Sequence, residues 1–133
     1  MPTTARSPLL LAGLMAGAGV LHFAAPKAFD GLVPRALPGR PRTWTYASGA
    51  VEAALAAGLL HPRTRRPAAL VTAAFFVGVL PANVQMAVDW RHRPAPMRAI
   101  AFARLPAQLP LVLWARNVAR AAGEGRPAPD GQR

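Results

Sequence analysis

The chain has 133 residues, of which 53% are hydrophobic and 16% charged, and 16 Lys+Arg against 5 Asp+Glu give it a formal charge of +11. That length confines it to one domain, and the apolar fraction excludes an unfolded polymer. Without cysteine it can form no disulfide, no thiolate zinc site and no thiol redox centre.

The positive charge is not arranged for nucleic acid, which is excluded as a partner. Lys27 is the single lysine, and the arginines cluster at 35–42, 63–66, 91–98 and 116–120, between long uncharged blocks. A nucleic-acid surface interleaves basic and aromatic residues on one soluble face. Uncharged blocks with basic punctuation instead suit a chain whose loops meet anionic lipid headgroups.

Four blocks are expected as membrane helices. Residues 8–26 contain no formal charge, and Gly13 with Gly17 offers a small-residue face for close helix approach. Arg6, the apolar run 9–15 and Ala16-Gly17-Ala18 also fit a cleavable secretory signal, which stays open as an alternative. Residues 27–42 carry Pro34, Pro38 and Pro41, which forbid a long helix. Phe29, Leu32, Val33 and Leu37 suggest that this proline-rich loop lies back on the bundle. Residues 43–60 form the second span, with Glu52 inside it, and 67–88 form the uncharged third. The fourth, 99–115, carries Arg104, Pro106 and Pro110; a mid-helix arginine costs about 2.5–3.5 kcal/mol on the insertion scale, so this span needs help from the others. Trp44, Trp90 and Trp114 fall near span ends, as interface anchors do.

The expected fold is thus all-α: an integral membrane four-helix bundle over residues 1–120 with a flexible polar tail at 121–133. It would sit as a multi-pass protein in the cell membrane. Basic residues are shared almost evenly between the two sides, and the small excess beside the termini places both in the cytoplasm.

This topology turns spacing into depth. At 1.5 Å per residue, His22, Asn83 and Arg104 lie roughly 6–8 Å, and Glu52 and Gln108 roughly 13 Å, from the side of the first and third loops. Ser48 shares a helix face with Glu52, and Gln108 with Arg104. These six form an expected polar cluster inside one half of the bilayer. One reading is an architectural ion pair between Glu52 and Arg104. A second is a pocket beneath the first loop for a headgroup, quinone or small solute, and a third is a proton path. No nucleophile, phosphate-loop, dinucleotide or metal-ligand motif is present. No catalytic residue, metal or resident cofactor is therefore expected, and catalysis by the chain on its own is not.

His22-Phe23, Pro26, Phe29, Val33-Pro34, Leu37-Pro38, Tyr46, Ser48-Gly49 and Glu52 together resemble the DoxX-like membrane proteins. So do Pro81-Ala82-Asn83, Met86, Arg104-Leu105-Pro106, Gln108, Pro110 and Trp114. That resemblance implies a four-helix inner-membrane fold and an accessory place in a redox or oxidative-stress system. Its partners would be the lipid bilayer, other membrane redox subunits or a second copy. A structural or assembly protein and a carrier of a small solute or proton are the alternatives.

Overall fold

The computed structural model describes residues 6–125, and these are helical with no strand among them. Six helices follow in order: α1 (Ser7–Ala24), α2 (Pro26–Asp30), α3 (Pro41–Leu60), α4 (Arg65–Gly78), α5 (Leu80–Asp89) and α6 (Ala95–Glu124). Proline sets most of the boundaries. Five of these helices, α1, α2, α3, α5 and α6, have proline at their first or second position, where a missing N–H costs nothing. Pro81 has no N–H for the Val77 carbonyl, and α4 gives way to α5 at Val79 just before it. Pro106 and Pro110 are absorbed inside a continuous α6.

Two corrections to the expected boundaries follow. The first loop is partly helical, because Pro26 starts the short α2. The second concerns the expected tail. The Ala-rich segment after Val118 is a strong helix former, so α6 continues to Glu124, and residues 126–133 lie outside the described residues.

The helices pack as antiparallel passes. Gly19 of α1 faces Gly49 and Glu52 of α3, and Gly58 of α3 meets Ala68 of α4. Arg104 of α6 reaches Asn83 of α5 at one end, while Gly123 of α6 lies beside Arg66 of α4 at the other. The close approach between α1 and α3 depends on glycine. A Cβ on Gly49 would fall 2.8 Å from both His22 Cβ and Phe23 Cε2, and one on Gly19 would fall 3.0 Å from the Gly49 carbonyl oxygen. Gly13 and Gly17, the pair expected to make such a contact, have nothing within 4 Å. They lie on the outward face of α1.

The core occupies one end of the bundle. Leu11, Ala12 and Met15 pack with Leu55, Ala56 and Leu59, Ala68, Ala69, Ala73 and Phe76, and Ala115, Val118 and Ala119. Alanine at so many of these positions lets the backbones close up. The other end, beneath residues 25–40, is hollow.

Two helical segments are long and apolar enough to cross a membrane: Ser7–Ala24, with mean hydropathy 1.6, and Arg65–Asp89, with mean hydropathy 1.7. Helices α3 and α6 hold the polar residues and do not meet the same measure. Four spans were expected, and two pass on length and apolarity.

The glycine contact makes a direct prediction. Gly49→Ala should destabilise the protein by about 1–3 kcal/mol through overpacking. Gly13→Ala and Gly17→Ala should leave stability unchanged or raise it by about 0.5–1 kcal/mol, since alanine is the better helix former. Thermal melts followed by circular dichroism in one detergent would compare them. A neutral Gly49→Ala would show that α1 and α3 do not cross at this point.

Candidate functional site

The hollow end holds a half-open cavity of about 570 Å³. His22, Ser48, Glu52, Asn83, Arg104 and Gln108 all line it. Its remaining wall is mostly apolar. Leu14, Met15, Phe75, Phe76 and Leu111 make the floor towards the core, and Phe29, Leu32, Val33, Pro34 and Leu37 make the roof. The polar groups therefore form a belt between two apolar surfaces.

The belt is not paired as its sequence suggested. Glu52 and Arg104 make no ion pair. Glu52 is 6% exposed, and its nearest polar neighbour is His22, whose Nδ1 lies 2.8 Å from Glu52 Oε2. That nitrogen also lies 2.8 Å from the carbonyl oxygen of Ala18, one turn back on α1. A single N–H cannot be directed at both. It is aligned with the Ala18 carbonyl, and Glu52 Oε2 is left buried without a hydrogen bond among the described residues. The imidazole is fixed from its other face by Phe29, whose ring stacks on it at 3.9 Å between centroids. Arg104 instead donates from Nε to Asn83 Oδ1 at 3.3 Å. The physical reason is placement: both residues line the cavity, from helices α3 and α6 that do not pack directly on each other. Gln108, although buried, makes no side-chain hydrogen bond among the described residues, and Ser48 stands half-buried one turn from Glu52. Ser48, Glu52 and Gln108 are thus polar groups with unused hydrogen-bonding capacity facing one space.

The roof is tied down on two sides, by residues that the sequence reading passed over. Asp30, at the end of α2, accepts from Arg42 Nε at 2.9 Å and from Thr45 Oγ1 at 2.8 Å, and it pairs with Arg42 Nη2 at 2.8 Å. On the far side Arg35 pairs with Asp89 at 2.9 Å. Gln85 accepts from the Arg35 backbone N–H at 3.0 Å and donates to the Val33 carbonyl at 3.0 Å. Trp44 Nε1 donates to the Pro38 carbonyl at 2.7 Å, and Gly39, with φ +85°, supplies the turn that leads into α3. The acidic residues that hold the roof are scattered singly through the sequence, with no motif to join them. Their one advance signal was that Asp30 and Asp89 border spans in a chain with few acids.

His61 and His92 lie away from the cavity, with local partners in Arg63 and Arg91. No group of three or more His, Asp or Glu side chains suited to a metal ion occurs among the described residues.

The roof should respond to acid in one direction. Hydrogen bonds from Arg42 outweigh the loss of water around Asp30 and, with the Thr45 hydroxyl, hold its carboxyl below the ordinary value of 3.8. A folded-state value lowered in this way stabilises the tied roof fully above that ordinary value. The stabilisation fades as pH falls through the lower folded value. Trp44 fluorescence, in a chain with Trp90 and Trp114 replaced by phenylalanine, should stay flat from pH 7 to pH 5 (about a unit or more above an unperturbed aspartate) and change below that. Asp30→Asn should show the altered signal at every pH.

The arrangement can be set beside known proteins. No curated protein matches the chain, and no solved structure does. A family model matches residues 11–119, which include every belt residue and the whole roof, and its description is "Domain of unknown function (DUF8561)". This overturns the DoxX-like resemblance. Prolines at helix ends and one polar group per helix recur wherever helices enclose a polar cavity, so such a set of short motifs does not separate one family from another. The redox and oxidative-stress role lost its argument with the resemblance. Since the match covers most of its length, the chain belongs to the DUF8561 family.

Proposed function

We propose that the protein is a four-pass membrane protein that holds a small amphiphilic molecule in its roofed cavity. One observation carries this reading: the polarity of the bundle is inverted. Large apolar side chains cover the outside of every pass, including Val20 at 64% exposure on α1, Val51 on α3, Val71 on α4 and Leu109 at 65% on α6. The buried polar groups converge on the cavity instead. In water such a surface would drive aggregation; against lipid it is solvated.

The same inversion accounts for α3 and α6. Their polar residues lower their hydropathy, yet Glu52 and Gln108 turn inward, and Arg104, though exposed, lines the cavity with Asn83 beside it. The two most apolar segments have only 22% and 33% of their residues buried, which is far from the pattern of a soluble core helix. The cavity's mostly apolar wall and polar belt suit a ligand with a small polar end and an apolar remainder. The alanine-rich core closes the far end, so a continuous polar path for a solute or proton is not supported.

Two measurements test the proposal. Cysteines introduced at Thr4 and Gln132 should label from the same face of intact membranes, the cytoplasmic one; labelling from opposite faces would refute an even number of passes. Mass spectrometry of small molecules retained after mild detergent extraction should find one bound amphiphile, a lipid or a quinone among the possible classes. Ala18→Phe, which fills the cavity from α1, should release that molecule without loss of folded protein. Wild-type protein that retains nothing, and is unaltered by Ala18→Phe, would make the bundle a scaffold with no ligand.

A further inference from the structure

The charges on the two walls say more about the ligand. Glu52 on α3 is nine-tenths buried and lines the cavity, and the one donor near its Oε2, His22 Nδ1 at 2.8 Å, is aligned with the Ala18 carbonyl instead. Arg104 on α6 uses Nε on Asn83, while the two terminal nitrogens of its guanidinium make no hydrogen bond among the described residues. Opposite charges normally meet where the dielectric is low, because separating them there is costly. Here the fold keeps them apart with a cavity between. Arg104 lines the cavity and is also exposed.

We infer that the cavity selects a zwitterion, with an ammonium group against Glu52 and a phosphate or carboxylate against Arg104. This inference rests on the ligand-binding reading above and names its ligand class. A primary ammonium would give Glu52 Oε2 the aligned hydrogen bond that His22 does not, and the stacked rings of His22 and Phe29 beside it suit a cation. A guanidinium with two free terminal nitrogens matches two oxygens of one anionic group. The apolar floor calls for a chain attached to the anionic end. These features favour an aminophospholipid of the bilayer over a free amino acid or phosphoamine, which would leave the floor empty.

The test uses the purified full-length chain in mild detergent and three probes. Lysophosphatidylethanolamine carries ammonium, phosphate and chain. Lysophosphatidylglycerol with the same chain lacks the ammonium, and O-phosphoethanolamine lacks the chain. Wild-type protein should bind the ethanolamine lysolipid about tenfold more tightly than the glycerol one, the difference expected for one charge-assisted hydrogen bond. Glu52→Gln should erase that preference by weakening the ethanolamine lysolipid alone, and Arg104→Gln should weaken both. O-phosphoethanolamine competing as well as the lysolipid would keep the zwitterion and identify a free solute as its source. Equal binding of both lysolipids to wild-type protein, abolished in each case by Ala18→Phe, would overturn the zwitterion and leave the cavity reading standing. No binding of either lysolipid, together with no molecule retained on extraction, would overturn both. The wild-type preference is read without any variant, so a variant that fails to fold does not remove the test.

Discussion

The crossing of α1 and α3 at Gly19 and Gly49 governs the rest of the molecule. Without side chains at these positions the two backbones come close enough for His22 Cβ and the Phe23 ring to sit directly over Gly49. That contact brings His22 level with the turn of α3 that carries Glu52. Separating the helices by the width of a methyl group would withdraw the imidazole from the carboxylate. It would also unseat Phe29, which stacks on that imidazole and forms part of the roof. The register of α1 on α3 is therefore the register of the roof on the cavity.

Above and below this crossing the bundle is built differently. Towards the termini, alanines and a few large side chains fill the space completely, and Leu11, Leu59, Ala69 and Ala115 are inaccessible. Towards the roof, the same helices carry polar residues and no large side chain closes the centre. The proline-induced break at Val79 falls within this half, and Gly78, Val79 and Ala82 line the cavity. The roof follows the same division. Its underside is apolar and rests on the belt, while its rim is held by Asp30 and Asp89, each paired with a partly exposed arginine. Exposed ion pairs contribute little one at a time, so the roof depends on several acting with the packing of Phe29, Leu32 and Val33.

The separation of Glu52 from Arg104 is what distinguishes a cavity from a fastening. A direct pair would satisfy both charges and close the bundle around them. Instead each has its polar neighbour on its own side of the fold, His22 for Glu52 and Asn83 for Arg104. Such an arrangement is costly in an empty bundle and is relieved by whatever occupies the space. This is the physical ground for reading the belt as a binding site.

Much of the architecture was legible along the chain. Uncharged blocks bounded by proline and arginine marked the helices, because a helix that meets apolar surroundings must exclude charge and proline ends or starts it. One polar group in the same half of each block marked the belt, since helical rise converts sequence position into depth. Other features depended on where helices meet. Sequence spacing favoured Gly13 and Gly17 for close packing, yet Gly19 and Gly49 make the contact, because the rotation of α1 is set by all the side chains between it and α3. Opposite charge favoured Glu52 with Arg104, yet His22 and Asn83 are their neighbours, because charge attracts only across a distance that the fold permits. The family likewise was not legible in short motifs, which many cavity-forming bundles share. By itself the sequence determined the main helical blocks, their order and the position of each polar group along them, through local rules of proline and charge. Which of those groups touch, and that the Glu52 and Arg104 charges face each other across open space, was decided only by tertiary packing, because contact depends on helix rotation and crossing, which are set by the whole molecule at once.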